Sequence, residues 1–166
     1  MESKTFRKWK SRLPHVHIPE AAYLLTSRLK PGQMEFNPSE RAIVLKACLF
    51  WHMRSWNILA AVVMPDHFHL VGHIALEDVE KPMTIAQLAK SIKGYAAYEV
   101  NKLRGSHGSL WQRDYHDISL TGERSLRGAL EYVVNNPVVE DLAEKPEDYP
   151  WLWTYWIQGA NQRDRG

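Results

Sequence analysis

Two imidazoles separated by one residue, in Met64-Pro65-Asp66-His67-Phe68-His69-Leu70, are the part of this sequence best equipped for chemistry. In an extended chain, residues two apart point to the same face. His67 and His69 then stand side by side, while Phe68 and Leu70 turn the other way. Two imidazoles at a fixed spacing can hold a divalent metal ion. The same pair also fits two hydrogen-bonded structural histidines on a strand, and the pattern alone does not separate these readings. His15 and His17 repeat the spacing, but in a proline-flanked segment, Pro14-His15-Val16-His17-Ile18-Pro19. His73 shares the parity of His67 and His69 but lies further along the strand, too far to reach the same ion without distortion. His52, His107 and His116 belong to no usable pattern.

A second constellation is Leu130-Glu131-Tyr132-Val133-Val134-Asn135-Asn136-Pro137. On a helix, Tyr132 and Asn136 are four residues apart and share a face. That places a polar oxygen one turn from a phenol, as a third metal ligand beside a nucleophile would be. A core aromatic followed by a helix terminator before proline gives the same pattern.

These residues need elements to hold them. Ala21 to Leu29 reads as a strand closed by the Pro31-Gly32 turn. Asn37-Pro38-Ser39-Glu40 opens a helix whose apolar stripe is Ile43, Val44, Ala47 and Phe50. Trp56–Val63 and Phe68–Ile74 read as two core strands joined at Met64-Pro65-Asp66. Thr84 caps a long helix running to about Leu103, and Gly105–Ser109 is a loop. Arg113 to Leu120 is a short strand. Gly122-Glu123-Arg124-Ser125 opens a last helix, expected to stop at about Asn136 because proline follows. The order strand–helix–strand–strand–helix–strand is the split βαβ, ferredoxin-like order: an α+β fold, an antiparallel sheet with helices on one side, plus an appended C-terminal helix that carries Tyr132. The aromatic run Tyr149-Pro150-Trp151-Leu152-Trp153-Thr154-Tyr155-Trp156 is expected to pack over the core rather than stack on bases.

A chain of 166 residues suits one domain (1–166), with a basic N-terminal arm over about 1–20 and an aromatic tail over about 146–166. The net charge of +2 is unremarkable, but its distribution is not. Residues 1–30 carry Lys4, Arg7, Lys8, Lys10, Arg12, Arg28 and Lys30 against Glu2 and Glu20. Residues 90–113 carry Lys90, Lys93, Lys102, Arg104 and Arg113 against Glu99 alone, and acid gathers in 131–148. Segregated positive charge fits a phosphate-binding surface, and fits solvated helix faces as well. No apolar run approaches a membrane span, the N-terminus lacks the apolar core of a signal peptide, and Cys48 is the single cysteine. The expectation is a reducing compartment, the cytoplasm, and no membrane.

Met-Pro-Asp-His-Phe-His, then Trp-Gln-Arg-Asp-Tyr-His-Asp-Ile, then Glu-Tyr-Val-Val-Asn-Asn-Pro-Val, in this order and spacing, resemble the REP-associated tyrosine transposases. These are domesticated single-tyrosine transposases of the HUH endonuclease superfamily. The resemblance runs from about Arg12 to Trp156 and takes in Ser91-Ile92-Lys93-Gly94-Tyr95 and Tyr149-Pro150-Trp151. Each motif is modest alone; the combination is specific.

The resemblance implies a nickase–ligase acting on single-stranded DNA through a 5′-phosphotyrosine intermediate. His67 and His69 become ligands of Mg²⁺ or Mn²⁺, Asn136 the third ligand, and Tyr132 the nucleophile. Tyr115 is the runner-up nucleophile, but it falls on the predicted strand, whereas the family's tyrosine belongs to the later helix. The implied partner is hairpin DNA of repetitive extragenic palindromes, with a bacterial, nucleoid-associated location and a monomer or homodimer as the working form. Arg12, Lys90, Lys93 and Arg113 are the candidate DNA-binding bases. A free phenol is only about 0.1% ionised at neutral pH, so such chemistry needs help at the phenol or at the phosphate. Two other functions share these residues: a catalytically silent hairpin-binding protein with a host regulatory role, and an unrelated metal-dependent hydrolase indifferent to Tyr132.

Overall fold

The computed structural model describes residues 22–75 and 82–156. Arg12, His15, His17 and the basic arm lie outside the described residues. The elements are β1 (Ala22–Arg28), α1 (Pro38–Leu49), β2 (Trp56–Val63), β3 (His67–Ile74), α2 (Ile85–Arg104), β4 (His116–Leu120), α3 (Gly122–Val139), a 3₁₀ turn (Pro146–Asp148) and β5 (Leu152–Thr154). Five strands form one antiparallel sheet in the order β4-β1-β3-β2-β5. The expected α+β architecture is present, with the two sides of the sheet covered differently.

Strand parity decides which side chains go where. Leu25 of β1, Phe68 and Leu70 of β3, and Ile58, Ala61 and Val63 of β2 pack with Val44 of α1 and Leu88 and Ile92 of α2. The opposite parity, Ala22, Val62 and Val71, packs with Leu126, Leu130 and Val133 of α3. The register shift between Ile58 and Ala60 is a bulge that turns both Leu59 and Ala60 to the α3 side. Beside it, a Cβ at Gly72 would stand 2.9 Å from the Asn57 carbonyl oxygen, so no larger residue fits there without backbone movement.

Both long helices on the first face begin with a capping box, Asn37 with Glu40 and Thr84 with Gln87. Glu40 also ties them together. Its buried carboxylate accepts from Arg104 Nε at 2.6 Å, and Arg104 Nη2 reaches the Met34 carbonyl at 2.9 Å. No described helix is long and apolar enough to cross a membrane.

Two expectations change. Pro137 does not stop α3, which continues to Val139 with the ring buried inside it. Proline so near the end forfeits one backbone bond, to Val133, and its ring fills a packed position. Asp141 breaks the helix instead, with φ of 56°. The strand expected over Arg113–Leu120 begins only at His116, because 113–115 run along α2, where Lys93 Nζ holds the Gln112 and Arg113 carbonyls. The aromatic segment packs over the core as expected and adds β5 at the β2 edge, anchored by Tyr149 Oη donating to the Val63 carbonyl at 2.6 Å.

Candidate active site

His67 and His69 are the first and third residues of β3, on the face that α3 covers, with ring centroids 4.7 Å apart. Both are nearly buried. Each is held through Nδ1, His67 by the Asp66 carboxylate at 2.6 Å and His69 by Thr26 Oγ1 at 2.7 Å. Thr26 can reach because the register of β1 sets it directly opposite His69. A proton on each Nδ1, donated to these oxygens, leaves each Nε2 with its lone pair outward from the support, the tautomer a metal ligand requires.

The electrostatics agree with neutral rings. Burial pushes His69 down to about 3, helped by neighbouring His67 and Arg28. Burial also lowers His67, and that outweighs the opposing pull of Asp66. Both imidazoles are therefore in their ligating form at neutral pH.

From the other side α3 brings its contribution. Tyr132 Oη lies 3.5 Å from His69 Nε2 with ring centroids 5.1 Å apart, while 49% of the tyrosine remains exposed. One turn on, Asn136 is buried and its Oδ1 has no hydrogen-bond partner. A buried acceptor without a partner costs about 1–3 kcal/mol, a cost that a ligand to Oδ1 would offset; Ser27 Oγ, Thr154 Oγ1 and Trp156 Nε1 are unpartnered as well. Among the described residues no three His, Cys, Asp or Glu side chains gather in one place. A divalent ion bound on this face would find a donor set of two neutral imidazoles and one amide oxygen. Being uncharged, it would leave the ion's full charge for an anionic substrate.

The other candidates lie elsewhere. Tyr115 packs against the α1/α2 core, on the far side of the sheet from His67 and His69. His73 bonds the Ile74 carbonyl at 3.2 Å, and His52 accepts from the Ile58 amide at 3.0 Å. Lys90, Lys93 and Arg113 cluster beside Tyr115 rather than beside Tyr132. Thr26 and Asp66 are the residues sequence reasoning passed over. Asp66 was visible as the neighbour of His67; Thr26 depends on a strand register that spacing does not reveal.

An antiparallel five-stranded sheet with two helices on one face, and a third helix laying a tyrosine across a His-Phe-His strand on the other, is an arrangement with close structural counterparts. The profile of the IS200-like transposases matches residues 41–136, more than half of the sequence, and the chain belongs to that family. A Haemophilus influenzae protein, named provisionally as a REP-associated tyrosine transposase, is 24% identical over 101 residues. That match spans 58% of this chain and 57% of the relative's length. The solved structure of a REP-associated tyrosine transposase bound to a REP hairpin superposes with a TM-score of 0.65 at 17% identity. It covers 86% of this chain and 81% of the other, which establishes the common fold.

Proposed function

We propose that this chain is a metal-dependent nickase–ligase for single-stranded DNA, acting on hairpin or palindromic repeat DNA with Tyr132 as nucleophile. The observation that carries the reading is the convergence of Tyr132 Oη on His69 Nε2 with the unpartnered Asn136 Oδ1 one turn away. Family membership supplies the transposase chemistry, and the hairpin-bound relative motivates the substrate.

Tyr132 Oη attacks a backbone phosphorus, forming the phosphotyrosine bond as the bond to the 3′ oxygen breaks. The proton lost by the phenol is recovered by the departing 3′-hydroxyl, so the step is balanced in protons and in phosphodiester bonds. A second 3′-hydroxyl reverses it without ATP, because the covalent intermediate preserves the ester. His67, His69 and Asn136 would hold Mg²⁺ or Mn²⁺, which when bound polarises the non-bridging phosphate oxygens. His69 Nε2 has one lone pair, so it serves either the phenol or a metal. Ligation of His69 Nε2 would therefore free the half-exposed phenol for substrate. Asp66 and Thr26 keep both rings in the ligating tautomer.

The test is an SDS-resistant protein–DNA adduct on a single-stranded hairpin substrate with Mn²⁺ or Mg²⁺. Tyr132→Phe and chelator should each abolish it, and Tyr115→Phe should not. An adduct that survives Tyr132→Phe and vanishes in Tyr115→Phe overturns the choice of nucleophile. Hairpin binding with no adduct under either metal would favour the silent DNA-binding alternative.

A further inference from the structure

The bases of α2 gather around a cavity remote from Tyr132. Lys90, Lys93 and Gly94 share one helix face by their spacing, and with Trp111, Arg113 and Tyr115 they border a cavity of about 380 Å³. That is within the range of about 300–1,000 Å³ typical of small-ligand sites. Its lining contains three cations and no acid. Lys93 is already committed, its Nζ donating to the Gln112 carbonyl at 2.9 Å and to the Arg113 carbonyl at 3.2 Å. It fixes the 112–113 segment against the helix. Lys90 and Arg113 are exposed and form no ion pair among the described residues.

Gly94 is the second, independent observation. A glycine in the middle of a 20-residue helix weakens it, and the usual excuse, close packing, is missing. A Cβ at Gly94 would meet nothing within 4 Å. The bare backbone leaves a notch in the wall of the cavity, beside the half-buried ring of Tyr115. Cations at the rim with an apolar, aromatic wall match a phosphate joined to a flat ring.

The cavity is also joined to the candidate active site. Gln112 donates its backbone amide to the Arg28 carbonyl at 2.8 Å while its own carbonyl accepts from Lys93, and Arg28 is the cross-strand partner of His67. The backbone of Gln112 thus links the cavity to the end of the sheet where the histidine pair begins.

We infer that this cavity is a subsite for one unpaired nucleotide of the single-stranded DNA cleaved at Tyr132, with Lys90 and Arg113 binding its phosphate and the base lying in the Gly94 notch beside Tyr115. The inference rests on the nickase–ligase reading and extends it to substrate positioning.

The experiment measures anisotropy of a fluorescein-labelled DNA hairpin with a randomised single-stranded flank, in EDTA, against the full chain. Gly94→Leu fills the notch and should weaken binding about tenfold, the scale of losing one stacked base. Lys90→Gln with Arg113→Gln should reduce the slope of log K against log salt by about 1.4, the share of two single-strand phosphates. Gly94→Ala should raise the melting temperature by about 2–4 °C and still weaken binding severalfold, a combination that a purely structural glycine cannot produce. Thermal melts of each variant confirm folding.

Affinities within twofold of wild type in all three variants, with an unchanged salt slope, overturn the subsite. If the Tyr132 adduct still forms, the nickase–ligase reading survives that result. Weakened binding by the variants of a protein that forms no adduct would sustain the subsite and remove the nickase–ligase. A wild-type chain that does not bind the hairpin at all removes both.

Discussion

Asn136 is the residue where sequence and structure say most together. Its place four residues after Tyr132 was legible from spacing, but spacing fits a helix terminator as well as a ligand. The buried, unpartnered Oδ1 is what the proposed ligand role would explain and a terminator role would not require. Asn136→Leu should therefore leave stability unchanged or raise it by about 1 kcal/mol, since it removes an unsatisfied group. The same variant should abolish adduct formation. A stability loss above about 2 kcal/mol by urea melt would instead mark Asn136 as structural. His69 gives the pH dependence. Its folded value of about 3 lies below the ordinary 6.5, so the unfolded chain takes up the proton first. Its contribution to stability is complete above about pH 6.5 and is lost as pH falls towards 3, amounting to about 1 kcal/mol by pH 5.5. In metal-free protein, His69→Gln should flatten the urea midpoint between pH 7 and 5.5; an unaltered slope would contradict the buried, neutral ring.

At the level of elements, every helix and four of the five strands were readable, because capping boxes and apolar periodicity are local signals. What escaped depends on contacts made far along the chain. β5 is three residues long and exists only because the β2 edge accepts it. The register that seats Thr26 against His69 is set by the sheet as a whole. Pro137 misled because the rule for helix interiors carries less force in the last turn. The tie between α1 and α2 supplies a prediction here. Arg104→Met strands the buried Glu40 carboxylate, and should reduce unfolding free energy by about 3 kcal/mol in chemical denaturation. Glu40→Gln in the Arg104→Met background should recover part of that loss; no recovery would mean that the charge is not the cause. Gly72→Ala, which must displace the Asn57 carbonyl at the bulge, should also destabilise, and more than Gly94→Ala, which should stabilise.

For the molecule as a whole, the sheet separates two groups of side chains. Its α3 side carries the histidine pair, Tyr132 and Asn136; its α2 side carries the basic cavity, with Gln112 and Arg28 between them. The fold class was legible in the order of elements, whereas this division was not, because charge counts along the chain do not say which face of a sheet receives them. Metal binding should act on the whole molecule. Mn²⁺ at 100 times its dissociation constant should stabilise the wild type by about 2.7 kcal/mol, and Asn136→Leu and His67→Ala should each remove most of that gain in thermal melts with and without EDTA. The central claim is that Tyr132, and no other residue, carries the DNA. Mass spectrometry of the nuclease-trimmed, protease-digested adduct tests it most directly. The account predicts a nucleotide phosphate on the Tyr132 peptide, and finding it on Tyr115, or on any other side chain, would contradict the account.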